Sequence, residues 1–123
     1  MVRRETAMVN QFKCCTTHAQ RELVDYCQAR GIVCVAYSPI AGSDLDAPKL
    51  AKVGAAHGKS PAAVVLRWLL QRGLVVIPCS SRAERIASNR SEADGWELSA
   101  AEVEGLFMLD DPASTAAEAA NYL

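Results

Sequence analysis

The residues best equipped for chemistry lie in the run GLVVIPCSSRAERIASN at positions 73–89, where an apolar stretch gives way to two serines and then to Arg82 and Arg85. Positions 74–77 are continuously apolar and short enough for a strand buried on both faces, and Pro78 removes a hydrogen-bond donor and stops it. Ser81 and Glu84 have the spacing of a capping box, which predicts a helix whose first backbone N–H groups point outward around positions 80–83. Arg82 and Arg85 add positive charge beside those donors. Such a corner binds anions, phosphates above all. The same residues also describe an ordinary strand-to-helix corner with solvated arginines, and both readings stand on spacing alone.

The elements that must hold this corner are marked by glycines. Gly31, Gly58 and Gly73 each follow a helical pattern, where a left-handed cap is expected. Ala19, Leu23, Val24 and Cys27 recur at helical spacing before Gly31, and the apolar run IVCVAY at 32–37 then predicts a buried strand ended by Ser38-Pro39. Asp46 is placed to cap a short helix with Pro48 in its first turn and Leu50, Val53 and His57 on one face. Ser60-Pro61 opens the next helix, apolar nearly all round over 62–72 and therefore expected to be heavily buried. Ser99 and Glu102 form another capping box ahead of Val103, Leu106 and Phe107. With a weaker first strand at 9–12, the order is strand, helix, strand, short helix, helix, strand, helix, helix, the alternation of a parallel α/β protein. Three parallel strands leave two unpaired edges, so the unit reads as part of something larger.

Thirteen basic against fourteen acidic side chains leave a net charge of -1, which argues against nucleic-acid or membrane-surface binding driven by charge. No apolar segment approaches the ~20 residues of a bilayer span, and MVRRETAM at the start has no apolar signal-peptide core, so a cytoplasmic location is expected. The five cysteines, Cys14, Cys15, Cys27, Cys34 and Cys79, include an adjacent pair and show no metal-ligand spacing, so they read as reduced thiols filling the core, with no metal site. His18 and His57 fall in helical stretches and read as surface or packing residues, as Trp68 and Trp96 read as packing.

Four ordered stretches resemble the C-terminal portion of the aldo-keto reductases, NADPH-dependent enzymes built on a (β/α)8 barrel. Val9-Asn10-Gln11 with Cys14 is similar to the family's sixth strand, ELVDYCQARGIVCVAYSP to the next helix and seventh strand, and HGKSPAAVVLRWLLQRGLVVIP to the helix and strand after them. Ser80 with Arg85-Ile86 and Asn89 falls on the spacing of the family's cofactor motif. The resemblance implies a partial (β/α)8 TIM barrel, about the last three βα units with a C-terminal helix, in an incomplete domain over 1–123 whose alanine-rich tail at 113–123 is a candidate for flexibility. It implies NADP(H) as cofactor: Gln11 on the nicotinamide carboxamide, Tyr37 stacked on the nicotinamide, Ser38, Ile40 and Gly42 along the pyrophosphate, Ser80 and Arg85 on the 2′-phosphate, and Asn89 at the adenine. Taken alone, Tyr37 is also readable as a packed aromatic at a strand end.

The chain departs from the family in several places. Cys79 stands where lysine or arginine is usual, Cys15 where histidine is frequent, and Ala41-Gly42 replaces the usual Gly-Ser. The family's catalytic Asp, Tyr, Lys and His belong to the first half of the barrel, so no catalytic residue is assigned to this chain. The implied activity is NADPH-dependent reduction of an aldehyde or ketone to an alcohol in the complete enzyme, this chain carrying mainly the cofactor-binding side. The alternatives are a catalytically inactive scaffold or interaction module, or a truncated product. Partners are a small carbonyl substrate and, through the open sheet, a second copy or a complementary half-barrel; no nucleic acid or membrane is expected.

Overall fold

The computed structural model describes residues 7–120. The elements in chain order are β1 (Val9–Lys13), α1 (Arg21–Gln28), β2 (Val33–Tyr37), α2 (Pro48–His57), α3 (Pro61–Gln71), β3 (Val75–Ile77), α4 (Ala83–Ser91), α5 (Ala100–Leu106), a 3-10 turn at Phe107–Leu109, and α6 (Pro112–Ala120). Of the alanine-rich tail, residues 113–120 are thus helical, while 121–123, like residues 1–6 at the start, lie outside the described residues. Gly31, Gly58 and Gly73 all take positive φ, as their place at helix ends predicts.

The three strands form one parallel sheet in the order β1-β2-β3. Gln11, Val35 and Val75 share one level of the register, and Lys13, Tyr37 and Ile77 share the next. Strand alternation sends Phe12, Cys34, Ala36 and Val76 toward the helices, where they join the core. Asn10 follows them, its Nδ2 donating to Cys27 Sγ on α1 at 3.6 Å. The opposite face bears Val9, Gln11, Lys13, Val33, Val35, Tyr37, Val75 and Ile77. On it Val33, Val75 and Ile77 keep 47%, 48% and 42% of their surface exposed, so the strand at 74–77, expected to be buried on both faces, is covered on one. A continuous apolar run is what a barrel interior requires.

The helical layer is centred on α3. Ser60 Oγ accepts the Ala63 N–H at 3.2 Å, Pro61 occupies the first turn, and Ala63, Val64, Val65, Leu66, Trp68 and Leu69 are all buried. Trp68 is fully covered; its Nε1 donates to the Val103 carbonyl at 3.0 Å and its ring meets Phe107 edge-on at 5.1 Å. Arg72 stacks its guanidinium on both rings, 4.4 Å from Trp68 and 4.7 Å from Phe107, and Nη2 donates to the Ala19 carbonyl at 2.7 Å. Gln71 joins α3 to the segment before α5, its amide exchanging two bonds with the backbone of Leu98. The Ser99–Glu102 capping box forms as its spacing predicts, and Glu102 also meets His57 Nε2 at 3.0 Å.

Two local expectations differ. The cap of α2 is Ala47, because Asp44 Oδ1 accepts the Asp46 N–H in a turn of its own and leaves Asp46 outside the helix. His18 lies in a turn, bridged antiparallel to Cys15, and is buried. No helix among the described residues is long and apolar enough to cross a membrane.

Trp68→Ala should remove the ring that α5 and Arg72 pack against and cost roughly 3–5 kcal/mol, the range for emptying a large aromatic site. A drop in the urea midpoint of that order, with the m-value unchanged, is the expected result.

Candidate functional site

Two strand-end corners shape the candidate site. After β2 the chain turns sharply at Ser38, whose φ of 50° is left-handed, a conformation that a non-glycine residue adopts only when its surroundings impose it. The Ser38 carbonyl accepts the Gly42 N–H at 3.0 Å, the Ile40 carbonyl accepts the Ser43 N–H at 3.0 Å, and Ser43 Oγ donates to the Pro39 carbonyl at 2.8 Å. The corner following β1 holds this loop from outside. Thr17 Oγ1 donates to the Gly42 carbonyl at 2.7 Å, and the Thr16 N–H donates to Ser43 Oγ at 3.1 Å. Gly42 must be glycine for a steric reason: a Cβ there would fall 2.8 Å from Cys15 Sγ, 2.9 Å from the Ser38 carbonyl oxygen and 3.1 Å from Lys13 Cε.

The second corner follows β3. Ser80 Oγ accepts the Arg82 N–H at 3.1 Å, Arg82 is the N-cap of α4, and no side chain caps that helix. The capping box expected from Ser81 and Glu84 is therefore absent. Glu84 falls at the second helical position, one short of the third position that the box requires. The arginines are nevertheless presented at the start of α4, with Arg85 in its first turn.

Between the corners lies a groove of about 740 Å³. Ile40, Ser80, Arg85 and Asn89 line it together, as four of the residues singled out by sequence. Cys79 and Ser88 join them, as do Asp44, Asp46 and Glu92, whose part was invisible in sequence because they come from two segments far apart in the chain. Glu92 accepts a bond from Ser60 Oγ at 2.9 Å. Gln11 and Tyr37 lie elsewhere, on the open face of neighbouring strands, two register steps apart: Gln11 stands opposite Val35 and Tyr37 opposite Lys13. Ser38 and Gly42 frame the loop that carries Ile40 to the groove. One surface thus runs from the sheet face across the Ser38 corner to the start of α4. It suits an elongated ligand with a flat ring at one end and an anion at the other, and the groove has the volume of a small-molecule site.

The thiols divide by environment. Cys14, Cys15, Cys27 and Cys34 are buried and Cys79 is exposed. Burial pushes the Cys14 thiol up to about 11 although Arg72 pulls the other way, and burial together with the neighbouring Cys27 raises Cys34.

Comparison with known proteins fits this geometry. The sequence model of the Aldo/keto reductase family matches residues 5–106, and the chain belongs to that family. It is 42% identical over 88 residues to the uncharacterized oxidoreductase YtbE of Bacillus subtilis (strain 168), an alignment covering 71% of this chain and 31% of the relative. Against the glyoxal reductase of the same organism, identity is 40% over 104 residues, 84% of this chain and 37% of that protein. The solved aldo-keto reductase AKR2E5, complexed with NADPH, superposes with a TM-score of 0.76 at 33% identity, covering 84% of this chain and 35% of that one. A mutant of Gox0644 in complex with NADPH gives 0.78 at 31% identity over 85% and 38%. The chain spans about a third of the length of the relatives it matches, and its sheet and helices are a portion of their (β/α)8 barrel.

At pH 8 the folded chain should offer one fast-reacting thiol, Cys79, because Cys14 keeps its proton until about pH 11 and the other three are shielded. Titration with a chromogenic disulfide should count one equivalent, rising to five on unfolding, and Cys79→Ser should abolish the fast phase.

Proposed function

We propose that this chain is the cofactor-binding side of an NADP(H)-dependent aldo-keto reductase that reduces an aldehyde or ketone to an alcohol, working in the cytoplasm. The observation that carries this reading is the groove joining the Ser38 corner to Ser80, Arg85 and Asn89. Ser80 and Arg85 would hold the 2′-phosphate by charge-assisted bonds, and Asn89 the adenine. Ile40 and the loop closed by Ser38 and Gly42 would follow the pyrophosphate. Gln11 would bond the carboxamide while Tyr37 stacks on the nicotinamide and fixes the face it presents. When bound, the cofactor supplies the hydride. Reduction also needs a proton donor at the developing alkoxide, a role given to no residue of this chain.

A second reading, an inactive scaffold of the same fold, draws support from Cys79 and from the carboxylates of Asp44, Asp46 and Glu92, which face Arg85 across one groove. Titration with both nucleotides separates the two. Arg85→Ala should weaken NADPH about tenfold, roughly 1.4 kcal/mol, and leave NADH nearly unchanged. Cys79→Lys should tighten NADPH in preference to NADH. Equal responses to the two nucleotides would favour the scaffold.

The uncovered sheet face completes the proposal. Val33, Val75 and Ile77 on it, and the outer edges of β1 and β3, which pair with no strand among the described residues, should drive association with a second copy or a complementary half-barrel. Sedimentation of the isolated chain should show dimers or larger species at micromolar concentration; a cooperatively folding monomer would contradict this.

A further inference from the structure

Lys13 closes β1 and shares the open face with Gln11, its backbone opposite Tyr37 in the register. It is half-buried, and its Cε lies 3.1 Å from the point where Gly42 would carry a Cβ, so the stem runs beside the loop after β2 at the carboxyl end of the sheet. That end is where the two halves of a dinucleotide must meet. With a ring on Tyr37 and a 2′-phosphate on Arg85, the diphosphate bridge crosses the Ser38 corner. Among the described residues that line the groove, Arg85 is the one cation, set against Asp44, Asp46 and Glu92 and engaged with the other phosphate. A diphosphate there would be held more firmly by a second positive charge.

We propose that Lys13 supplies it, as a cofactor-binding residue that pairs with the pyrophosphate from the β1 side of the Gly42 loop; this rests on the dinucleotide reading above. Lys13 and Arg85 then divide the cofactor. Lys13 holds what NADPH and NADH have in common, and Arg85 holds what distinguishes them.

The test is titration of the chain and of Lys13→Met and Lys13→Arg with NADPH, NADH, ADP-ribose and adenosine 2′-monophosphate. Lys13→Met should weaken the first three alike, by about tenfold, and leave the 2′-monophosphate within about twofold, because that ligand reaches only the Ser80–Arg85 end. Lys13→Arg should restore most of the loss. Lys13→Met that leaves all three unchanged, or that weakens the 2′-monophosphate equally, overturns the assignment. So does failure of Lys13→Arg to recover binding while its thermal melt matches that of the parent. If the parent binds the 2′-monophosphate but no dinucleotide, the Lys13 assignment falls and the phosphate site stands. If it binds none of the four, the cofactor reading itself fails and takes Lys13 with it.

Discussion

Everything in the helical layer is organised round the Arg72 guanidinium, a cation taken largely out of water with aromatic faces as its main lining. Burial lowers its pKa, yet an arginine stays charged, so the charge must be met where it sits. Trp68 and Phe107 give it two π-faces, the Ala19 carbonyl takes one N–H group, and Cys14 Sγ lies 3.7 Å from another. These partners come from α3, the 3-10 turn, the approach to α1 and the end of β1. One side chain thus touches four parts of the chain at once, joining the end of α3 to the C-terminal turn and to the segment between β1 and α1. A lysine could not replace it, having neither a flat face to stack nor a fork to reach two acceptors.

From that foundation the site is built by short polar ties between successive strand ends. β1 ends in Cys14–Thr17, β2 in the loop 38–43, and β3 in 78–82; each corner is tied within itself or to its neighbour by hydroxyls and backbone amides. These ties, together with the buried Pro39, hold the left-handed turn at Ser38. The groove is therefore ready-shaped, and its balance of charge depends on which side chains the corners deliver. Cys79 brings an exposed thiol, not a cationic side chain, to the groove lining.

The order of elements was legible because the signals are local: glycines at helix ends, apolar runs for strands, Ser60-Pro61 and Ser99 with Glu102 for helix starts. The family was legible because four such stretches recur in one order. What misled were signals with a nearby rival. Ser81 and Glu84 have the right spacing, but Ser80 Oγ captures the Arg82 N–H and the helix begins too late for the box. Asp44 similarly pre-empts Asp46. The one-sided burial of β3 was hidden because an apolar strand reads the same whether one face is covered or two. The tie from Thr17 to Gly42 links residues 25 apart, and no periodicity reports it.

The path of the chain also governs the order in which contacts can form. The strands lie side by side in the sequence in which they are synthesised, and most helices pack on their chain neighbours, so the greater part of the structure closes through short loops at small entropic cost. Several contacts run against this, the longest in sequence among them the Ala19 N–H to Asp110 Oδ1, the Asp111 N–H to the Thr17 carbonyl, and Arg21 to Glu104. Each returns the C-terminal segment to the stretch between the end of β1 and the start of α1, across some 80 to 95 residues. That corner, with Thr17 in it, is the one that ties down the Gly42 loop. Closing these contacts carries a larger loop entropy than the neighbour-to-neighbour packing does, and that cost falls on the corner that supports the loop beside the groove.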